Sequence, residues 1–242
     1  MTKAVVLAAG IGSRMSRGEN DQPKILLKIG NVRIIDRVLR GLAAERVTNV
    51  KIVVGYRAEL IMDYVSRKYQ MPNFEIEYVY NPWYASSNTA CSLWLASSNL
   101  GLDDVILING DIILVDEAVE RLLSLPNSCL LGIRHECGEE EVKILEDDQL
   151  VVEIGKNIDP AKAWGEYIGL GKFAPREGNL LREALGIANY SERSSLFYED
   201  VLNRILNRTS IIVVDGSDLP IREIDTPVDL ERWIQEFGGK GT

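Results

Sequence analysis

The chain has 242 residues, enough for one or two domains and for a sizeable apolar core. Its 36 acidic and 27 basic residues give a formal charge of −9, which argues against nucleic acid as a general partner and leaves no polybasic membrane anchor. Three cysteines without a CxxC spacing do not suit a complete disulfide framework, and a single histidine rules out a histidine-rich metal cluster. No signal peptide and no apolar run of membrane-spanning length is visible, so we expect a cytoplasmic protein with no membrane partner.

The first predicted element is a short buried strand that runs into a turn of small residues, within AVVLAAGIGSRMSRGENDQPK at residues 4–24. Backbone N–H groups in such a turn can bind a phosphate, helped by the field of a following helix N-terminus. Arg14 and Lys24 add positive charge on either side of the turn. The stretch therefore predicts a triphosphate-binding loop, whose residues are Leu7, Ala8, Ala9, Gly10, Gly12 and Ser13.

Two other glycine-rich phosphate-binding motifs fit this loop poorly. The dinucleotide fingerprint needs a third glycine where Met15 stands, and an acidic residue after the second strand, which ends at residues 54–56 without one. The P-loop needs four residues between its glycines and a Gly-Lys-Ser/Thr ending, which is absent from the sequence. An ordinary strand-to-helix turn remains the alternative at this point.

Strand and helix patterns then alternate through the first half of the chain. After a short extended segment at residues 25–29, apolar residues recur at helical spacing from Ile34 to Leu42. This alternation calls for right-handed crossovers and a largely parallel sheet. Further buried strands are predicted at residues 51–55, 74–80 and 105–108, separated by helices that include residues 60–65 and 88–97.

The pattern changes at about residue 128. Thr226 and Pro227 open a last helix as its N-cap and N1 residues. We therefore predict one α/β domain over residues 1–242, a twisted and mainly parallel sheet between helices, with a small antiparallel excursion in the second half. The elements predicted in this half are strands at Cys129–Ile133, 142–145, 150–154, 167–173 and 211–214, and helices at 180–187 and 196–206.

LAAGIGSRM followed by PKILLKIG resembles the signature of the nucleoside-triphosphate transferase family, and the resemblance extends over nearly the whole chain. The chain is most similar to the phosphocholine cytidylyltransferase-like branch. The resemblance implies a Rossmann-like three-layer α/β/α nucleotidyltransferase domain, with a nucleotide-binding half at 1–127 and an acceptor-binding half at 128–242. It further implies Mg²⁺-dependent transfer of CMP from CTP, or from another NTP, to a small phosphate or phosphonate acceptor of the phosphocholine or 2-aminoethylphosphonate type, with release of pyrophosphate.

Nucleotidyl transfer to a phosphate oxygen is an in-line displacement. It needs positive charge on the phosphates, a divalent ion on hard oxygen ligands and an oriented acceptor. The acceptor phosphate brings its own anionic oxygen, which agrees with the lack of an evident Ser/His/Asp arrangement. We expect Arg14 to hold the outer phosphates and Lys24 to offset charge near the α-phosphate. Lys156 follows Gly155 at a strand end, where the family places a lysine that orients the acceptor phosphate.

Asp111 and Asp225 are the candidate magnesium ligands. Asp111 follows the strand at 105–108, and ligands gather at the carboxyl ends of strands in open α/β sheets. Asp225 precedes the last helix, and two such carboxylates repel each other unless a cation lies between them. In the family that the chain resembles, the aspartates at these positions bind the catalytic magnesium; the alternative is two loop-capping residues. Glu223 is expected to cap the helix or to support a ligand.

Asn81, Asn88 and Ser92 follow the third strand, within NPWYASSNTACS. Amide groups at a strand end and a helix start can hydrogen-bond to base edges or ribose hydroxyls. Sugar-nucleotide relatives usually carry a Gln-x-x-Pro-x-Gly-type motif here, and this chain departs from that motif and resembles the cytidylyltransferase branch. The choice of CTP therefore rests on the resemblance, and turn and N-cap asparagines are the alternative.

Aromatic and acidic residues are the candidates for binding an ammonium group of the acceptor, through cation–π attraction and ion pairing. WGEYIGLGKF and FYEDVLN resemble segments of cytidylyltransferases that act on phosphocholine or 2-aminoethylphosphonate. Packing of the aromatic residues in the core is the alternative. The candidates are Trp83, Tyr84, Glu166, Tyr198 and Asp200, with Trp164, Tyr167 and Glu199 beside them in sequence.

Two other functions stay open from the sequence. A nucleotidyltransferase for sugar 1-phosphates, or for inositol or polyol phosphates, would share the amino-terminal motif. A non-catalytic regulatory homologue would keep the fold, but it would be expected to lose charged site residues that this chain retains. A homodimer is possible, and the polar loop after Met15, with Arg17, Gly18 and Glu19, is expected to close over the nucleotide.

Overall fold

A computed structural model describes residues 1–12 and 22–237. Ser13 and Arg14 of the predicted phosphate loop lie outside the described residues, as do Arg17, Gly18 and Glu19. The strands are β1 (Lys3–Ala8), β2 (Lys28–Ile29), β3 (Val32–Arg33), β4 (Asn49–Val54), β5 (Glu75–Tyr80), β6 (Val105–Asn109), β7 (Ile112–Ile113), β8 (Cys129–Ile133), β9 (Lys143–Asp147), β10 (Leu150–Gly155), β11 (Gly165–Phe173), β12 (Ile212–Asp215) and β13 (Arg222–Glu223). The helices are α1 (Ile34–Ala44), α2 (Ala58–Lys68), α3 (Thr89–Leu95), α4 (Asp116–Leu123), α5 (Pro175–Ile187), α6 (Tyr190–Ser195), α7 (Tyr198–Asn203) and α8 (Pro227–Phe237).

Nine strands form one mixed sheet in the order β5-β4-β1-β6-β11-β8-β12-β10-β9. The neighbours β5, β4, β1 and β6 are parallel, and so are β8 and β12. Strand β11 runs antiparallel between β6 and β8, and β9 and β10 form an antiparallel hairpin at the far edge. The predicted α/β class, with a mainly parallel central sheet, is confirmed.

The order of the parallel strands creates a switch point between β1 and β6. From β1 the chain adds β4 and then β5 on one side, and it returns to add β6 on the other side. Loops that leave the carboxyl ends of β1 and β6 therefore diverge and open a crevice, where ligands bind in open α/β sheets. In this chain the crevice lies between residues 8–12 and residues 109–111.

Helices cover both faces of the sheet. Side chains alternate along β1, so that Val6 faces the cluster formed with α1, α2, α4 and α8, and Leu7 faces the cluster formed with α3, α5 and α7. The apolar residues of α1 from Ile34 to Leu42 are buried at the spacing that the sequence predicts. The result is a three-layer arrangement in which both faces of the parallel strands are dry.

Some local predictions are wrong. The segment at 25–29 is not extended throughout, because Lys24–Leu26 forms a 3₁₀ turn before β2 pairs with β3. The helix expected at 196–206 is shorter in the structure: α7 covers Tyr198–Asn203, and Leu206–Arg208 forms a separate 3₁₀ turn. The helix begins after Phe197 because the Asp200 carboxylate accepts a hydrogen bond from the Phe197 N–H at 2.8 Å and caps the helix start. Helix α4 was not anticipated from the sequence.

The predicted start of the last helix is confirmed. Pro227 is its first residue, and the Asp229 N–H donates to the Thr226 hydroxyl oxygen at 3.3 Å. The Asp229 carboxylate in turn accepts from the Thr226 N–H at 2.6 Å, so each residue satisfies a free donor of the other. This cap holds the segment that carries Asp225 at the start of α8.

Asp36 joins α1 to α2 through a buried carboxylate. It accepts hydrogen bonds from the Tyr64 hydroxyl at 2.7 Å, the Tyr69 hydroxyl at 2.7 Å and the Lys68 ammonium at 2.8 Å. Burial would raise the pKa of Asp36, but the three hydrogen bonds outweigh it, and the pKa lies below its ordinary value. The carboxylate therefore stabilises the folded state at neutral pH.

Over residues 1–12 and 22–237, no helix combines the length and the apolar character that a membrane crossing requires. The three cysteines are free thiols, and all of them are buried.

We predict that Asp36→Asn lowers the free energy of unfolding by about 2 kcal/mol at pH 7, because Lys68 loses its partner and buried hydrogen bonds weaken. The difference should shrink as the pH falls below the ordinary pKa of a carboxyl, because the wild-type Asp36 then takes up a proton. Urea denaturation measures both. The control is Asp63→Asn in α2, which breaks an exposed ion pair with Arg67 (side chains 55% and 77% exposed) and should cost no more than about 0.5 kcal/mol. Equal losses in the two variants would contradict the prediction.

Candidate active site

A cleft of about 420 Å³ opens at the switch point of the sheet. One wall is the turn after β1, a second is the end of β6, and a third is the segment between β5 and α3. Its lining includes a large share of the predicted site residues: Leu7, Ala8, Ala9, Gly10, Gly12, Lys24, Asn81, Tyr84, Asn88, Ser92, Asp111 and Asp225.

Two glycines shape the walls of this cleft for different reasons. Gly12 has φ of +62°, a left-handed conformation that favours glycine, and it turns the chain next to the Lys24 side chain. Gly110 packs directly against β1, and a Cβ there would lie 2.6 Å from the Leu7 carbonyl oxygen. Its N–H donates to that same carbonyl at 2.9 Å. The close approach holds the loop that carries Asp111 against the turn after β1.

Three carboxylates meet at one end of the cleft. Asp111, Glu223 and Asp225 each offer an oxygen atom within 4.8 Å of the others. The short ribbon of β7 and β13 brings them together, because Glu223 pairs with Ile112 and the Ile224 N–H donates to the Asp111 carbonyl at 2.8 Å. Residues 223 and 225 are two apart in an extended segment, so their side chains lie on the same side.

Lys24 lies among these carboxylates. Its ammonium nitrogen is 2.6 Å from Asp225 Oδ1 and 3.2 Å from Asp111 Oδ2, and its side chain is 11% exposed. Burial alone would lower the pKa of Lys24, but attraction from Asp111, Asp225 and Glu223 outweighs it and the pKa is raised. Burial and repulsion from the two aspartates raise the pKa of Glu223 well above its usual range.

The cluster fits a hard divalent cation. Two aspartates and one glutamate offset by a single lysine leave an excess of negative charge, and carboxylate oxygens are the ligands that Mg²⁺ prefers. The buried Oδ1 atom of Asp111 has no hydrogen-bond partner among the residues that the structure describes. A cation would satisfy that oxygen atom, so Asp111, Asp225 and Glu223 are the residues that could hold Mg²⁺.

The predicted base-binding residues occupy the wall between β5 and α3. Asn81 is buried, and its amide donates to Ser92 Oγ at 3.0 Å while its carbonyl oxygen accepts from the Trp83 N–H at 2.9 Å. Asn88 precedes α3 and donates to the Ser195 carbonyl at 2.9 Å. Asn81 therefore organises the turn, and Ser92 and Asn88 present polar atoms along the wall of the cleft.

The predicted acceptor-binding residues are distributed over several places. Tyr84 lines the cleft, whereas Trp83 stands outside its lining and packs on Tyr190 with ring centres 5.1 Å apart. Tyr198 is fully buried, and its hydroxyl donates to the Tyr167 hydroxyl at 2.9 Å. Asp200 caps α7. The structure does not bring these four side chains together as one pocket.

Glu199 is a buried carboxyl in α7, two residues after Phe197, which lines the cleft. Burial raises the pKa of the Glu199 carboxyl to about 7, and the charges of Asp200 and Asp111 add to this shift. Its Oε2 atom has no hydrogen-bond partner within the described part of the chain.

Glu166 and Lys156 lie away from the cleft. Glu166 lines a second cavity of about 280 Å³ that also contains Glu223, and its Oε2 atom is 2.7 Å from His135 Nε2. This hydrogen bond raises the pKa of His135. Lys156 follows β10, and its ammonium is 3.5 Å from Glu140. Because Glu223 belongs to both the carboxylate cluster and the second cavity, the two sites are adjacent.

The chain matches the MobA-like NTP transferase domain over residues 4–131, which is more than half of its length. It belongs to this family. The matched segment includes the glycine turn, Lys24, the wall between β5 and α3, and Asp111. The chain is thus a nucleotidyltransferase.

Relatives of this nucleotidyltransferase include several cytidylyltransferases. It is 26% identical to the 2-aminoethylphosphonate cytidylyltransferase of Lancefieldella rimae, over 95% of the chain and 90% of that protein. It is 25% identical to the CTP:phosphoglutamine cytidylyltransferase of Campylobacter jejuni, over 96% and 99% of the two chains. The structure of the CTP:phosphocholine cytidylyltransferase of Streptococcus pneumoniae has the same fold, with a TM-score of 0.78, 22% identity and coverage of 97% and 98%.

Several residues of the nucleotidyltransferase site have only weak signals in the sequence. Glu223 was expected to cap a helix or support a ligand, yet the structure places it in the carboxylate cluster; the spacing of Glu223 and Asp225 was the available signal. Asn109, Thr89 and Phe197 also line the cleft. Phe197 precedes α7 and lies more than 100 residues after Thr89 in the chain, so only the fold brings these two residues to the same cleft.

We predict that Gly10→Ala leaves the stability of the nucleotidyltransferase within about 0.5 kcal/mol of the wild type but weakens nucleoside-triphosphate binding by about tenfold. A Cβ at Gly10 meets no atom within 4 Å and projects into open space beside the cleft. Thermal denaturation and calorimetric titration with CTP, UTP, ATP and GTP measure the two effects. Gly110→Ala is the contrasting variant and should lose about 2 kcal/mol of stability, because its Cβ meets backbone. Unchanged nucleotide affinity in Gly10→Ala would exclude the turn as the phosphate site.

Proposed function

We propose that this nucleotidyltransferase transfers CMP from CTP to a small phosphorylated or phosphonylated alcohol or amine and releases pyrophosphate. The observation that carries the proposal is the cluster of Lys24, Asp111 and Asp225 in the same cleft as the glycine turn. This combination supplies an ammonium group, hard oxygen ligands and the backbone N–H groups of a glycine turn, which together suit a metal-bound triphosphate.

The glycine turn, Arg14 and the residues of the cluster each have a distinct role in the proposed reaction. The N–H groups of the turn at Gly10 and Gly12 bind the triphosphate, and Arg14 holds its outer phosphates. Lys24 offsets the charge that develops at the α-phosphate as the acceptor oxygen attacks. Asp111 and Asp225, with Glu223 beside them, hold Mg²⁺, which when bound supplies further positive charge to the triphosphate and the leaving pyrophosphate.

The choice of CTP is supported by three curated relatives that match over 90% or more of both chains and are cytidylyltransferases. Asn88 and Ser92 offer polar atoms along the wall of the cleft, at the start of α3, and Asn81 fixes the turn that presents them. These groups suit a pyrimidine edge or ribose hydroxyls. Their own geometry does not distinguish a cytosine from a uracil, so the comparison of nucleotides belongs in the first experiment.

An amine-bearing acceptor is supported by the negative charge beside the carboxylate cluster. The second cavity shares Glu223 with the cluster, and its lining contains five carboxylates against three arginines and His135, so an acceptor whose phosphate reaches the cluster has an excess of carboxylates near its other end. Carboxylates and aromatic faces bind ammonium groups. Lys156 is proposed to orient the acceptor phosphate, which requires its side chain to leave Glu140.

The test is pyrophosphate release with Mg²⁺, in which CTP, UTP, ATP and GTP are each combined with phosphocholine, 2-aminoethylphosphonate, inositol 1-phosphate and glucose 1-phosphate. We expect turnover with CTP and an amine-bearing acceptor. Asp111→Asn is the matched control and should abolish turnover while keeping the fold, since the two side chains have nearly the same shape.

Other outcomes of this grid correct the proposal in defined ways. Turnover with glucose 1-phosphate or inositol 1-phosphate alone would keep the catalytic cluster and overturn the amine acceptor. Turnover with another nucleotide alone would overturn CTP. Activity that Asp111→Asn retains would show that the carboxylate cluster is not the site of catalysis.

We predict that Lys24→Ala lowers kcat by about 100-fold or more and weakens CTP binding far less, because its charge acts mainly where charge develops in the transition state. Steady-state kinetics with CTP, together with calorimetric CTP binding, separates the two effects. An unchanged kcat would remove Lys24 from the mechanism. Lys51→Ala serves as the control, because Lys51 is equally buried but pairs with Glu77 outside the cleft.

A further inference from the structure

The cluster already contains one cation, the ammonium group of Lys24. It sits between two of the three carboxylates and contacts Asp225 Oδ1 at 2.6 Å and Asp111 Oδ2 at 3.2 Å. These carboxylates are the oxygen ligands that a divalent ion requires. Lys24 therefore contacts one oxygen atom of each aspartate that could hold a divalent ion.

Lys24 and a divalent ion would compete for the same carboxylates. A divalent ion held by Asp111 and Asp225 would be a second cation beside the ammonium group, and two cations this close repel strongly when both are partly buried. The Lys24 side chain is only 11% exposed, so water screens the repulsion weakly. Entry of the metal therefore requires the ammonium group to move.

The Lys24 side chain starts next to the glycine turn in the same cleft. The Lys24 Cβ is 3.4 Å from the place where a Cβ on Gly12 would stand, so the root of the side chain is next to the glycine turn. The four-carbon stem of lysine is flexible, and its ammonium is a compact charge that binds phosphate oxygens well. A triphosphate held at the turn would give the displaced ammonium group a new anionic partner.

We propose that the Lys24 ammonium occupies the cation position among the carboxylates in the nucleotide-free protein. It leaves this position to the divalent metal when the triphosphate binds. Metal binding to the free protein is then weak, and the metal enters the cluster together with the nucleotide. This ordering rests on the proposed function for its second half, the transfer of Lys24 to phosphate. The competition between Lys24 and the metal depends only on the geometry of the cluster.

The first experiment measures Mn²⁺ binding to the full-length protein without nucleotide, by electron paramagnetic resonance of the free ion. Lys24→Met keeps the length of the side chain and removes its charge. We expect it to bind Mn²⁺ about tenfold more tightly than the wild type, and Lys24→Arg to bind as weakly as the wild type. Affinity in Lys24→Met within twofold of the wild type, or weaker, would overturn the proposal.

Two controls separate competition from a general effect of charge. Lys51→Met removes a lysine of similar burial, 9% exposed, that pairs with Glu77 away from the cluster, and it should leave Mn²⁺ affinity unchanged. The double variant of Lys24→Met with Asp111→Asn should lose the tight binding, because the ion then lacks a ligand. Equal tightening in Lys51→Met would mean that net charge, rather than displacement of Lys24, sets the affinity.

The second experiment uses the wild-type protein and does not depend on how a variant folds. Trace labelling with acetic anhydride, read by peptide mass spectrometry, reports how reactive each lysine is. We expect labelling of Lys24 to rise at Mn²⁺ concentrations that fill the site and to fall again when CTP is added with the metal, while labelling of Lys51 stays constant. Filling of the site by Mn²⁺ with no change at Lys24 would contradict displacement.

The competition between Lys24 and the metal can be refuted independently of the proposed function. Absence of pyrophosphate release across all nucleotides and acceptors would refute the proposed reaction, yet the Mn²⁺ titrations need neither substrate. Conversely, turnover in the wild type with no effect of Lys24→Met on Mn²⁺ affinity would keep the reaction and remove the competition.

Discussion

The site depends on a balance of charge between one lysine and three carboxylates that come from distant parts of the chain. Asp111 follows a central strand, and Lys24 follows the turn after the first strand. Glu223 and Asp225 lie more than 100 residues after Asp111 in the chain. Like charges this close raise the free energy of the fold unless cations offset them. The ammonium of Lys24 offsets them in part, and the residual negative charge suits the divalent ion of the proposed reaction.

The architecture brings these groups together through backbone contacts rather than through the charges themselves. The switch point between β1 and β6 opens the crevice, Gly110 packs its loop against the Leu7 carbonyl, and the β7–β13 ribbon connects the last segment to Asp111. Hydrogen bonds between backbone groups are worth more here than attraction between exposed charges would be. Backbone contacts thus hold the carboxylates close together despite their mutual repulsion, and these contacts do not involve the carboxylate groups.

Much of the nucleotide side was predictable from the sequence, because its signals are local. The glycine turn follows its strand directly, Asp111 follows β6, and strands alternate with helices at regular intervals, so position in the chain nearly determines position in the fold. The acceptor side was less predictable. Tyr198 and Asp200 stand in a suggestive sequence, but one is buried against Tyr167 and the other caps a helix. Aromatic and acidic residues serve cores and caps as often as ligands, and only long-range packing separates these uses.

Strand β11 has a consequence for how the molecule can move. It pairs with β6 of the parallel half, with β8, and with β9 of the edge hairpin, so it joins the two halves through backbone hydrogen bonds, with one irregularity in its pairing with β8 between Tyr167 and Leu170. A hinge between the halves would have to break that ladder, which is costly for a buried strand. We therefore expect no hinge motion in which the two halves move as rigid bodies to open and close the cleft. Side chains and surface loops must therefore move to admit and enclose substrates, while the central sheet keeps its position.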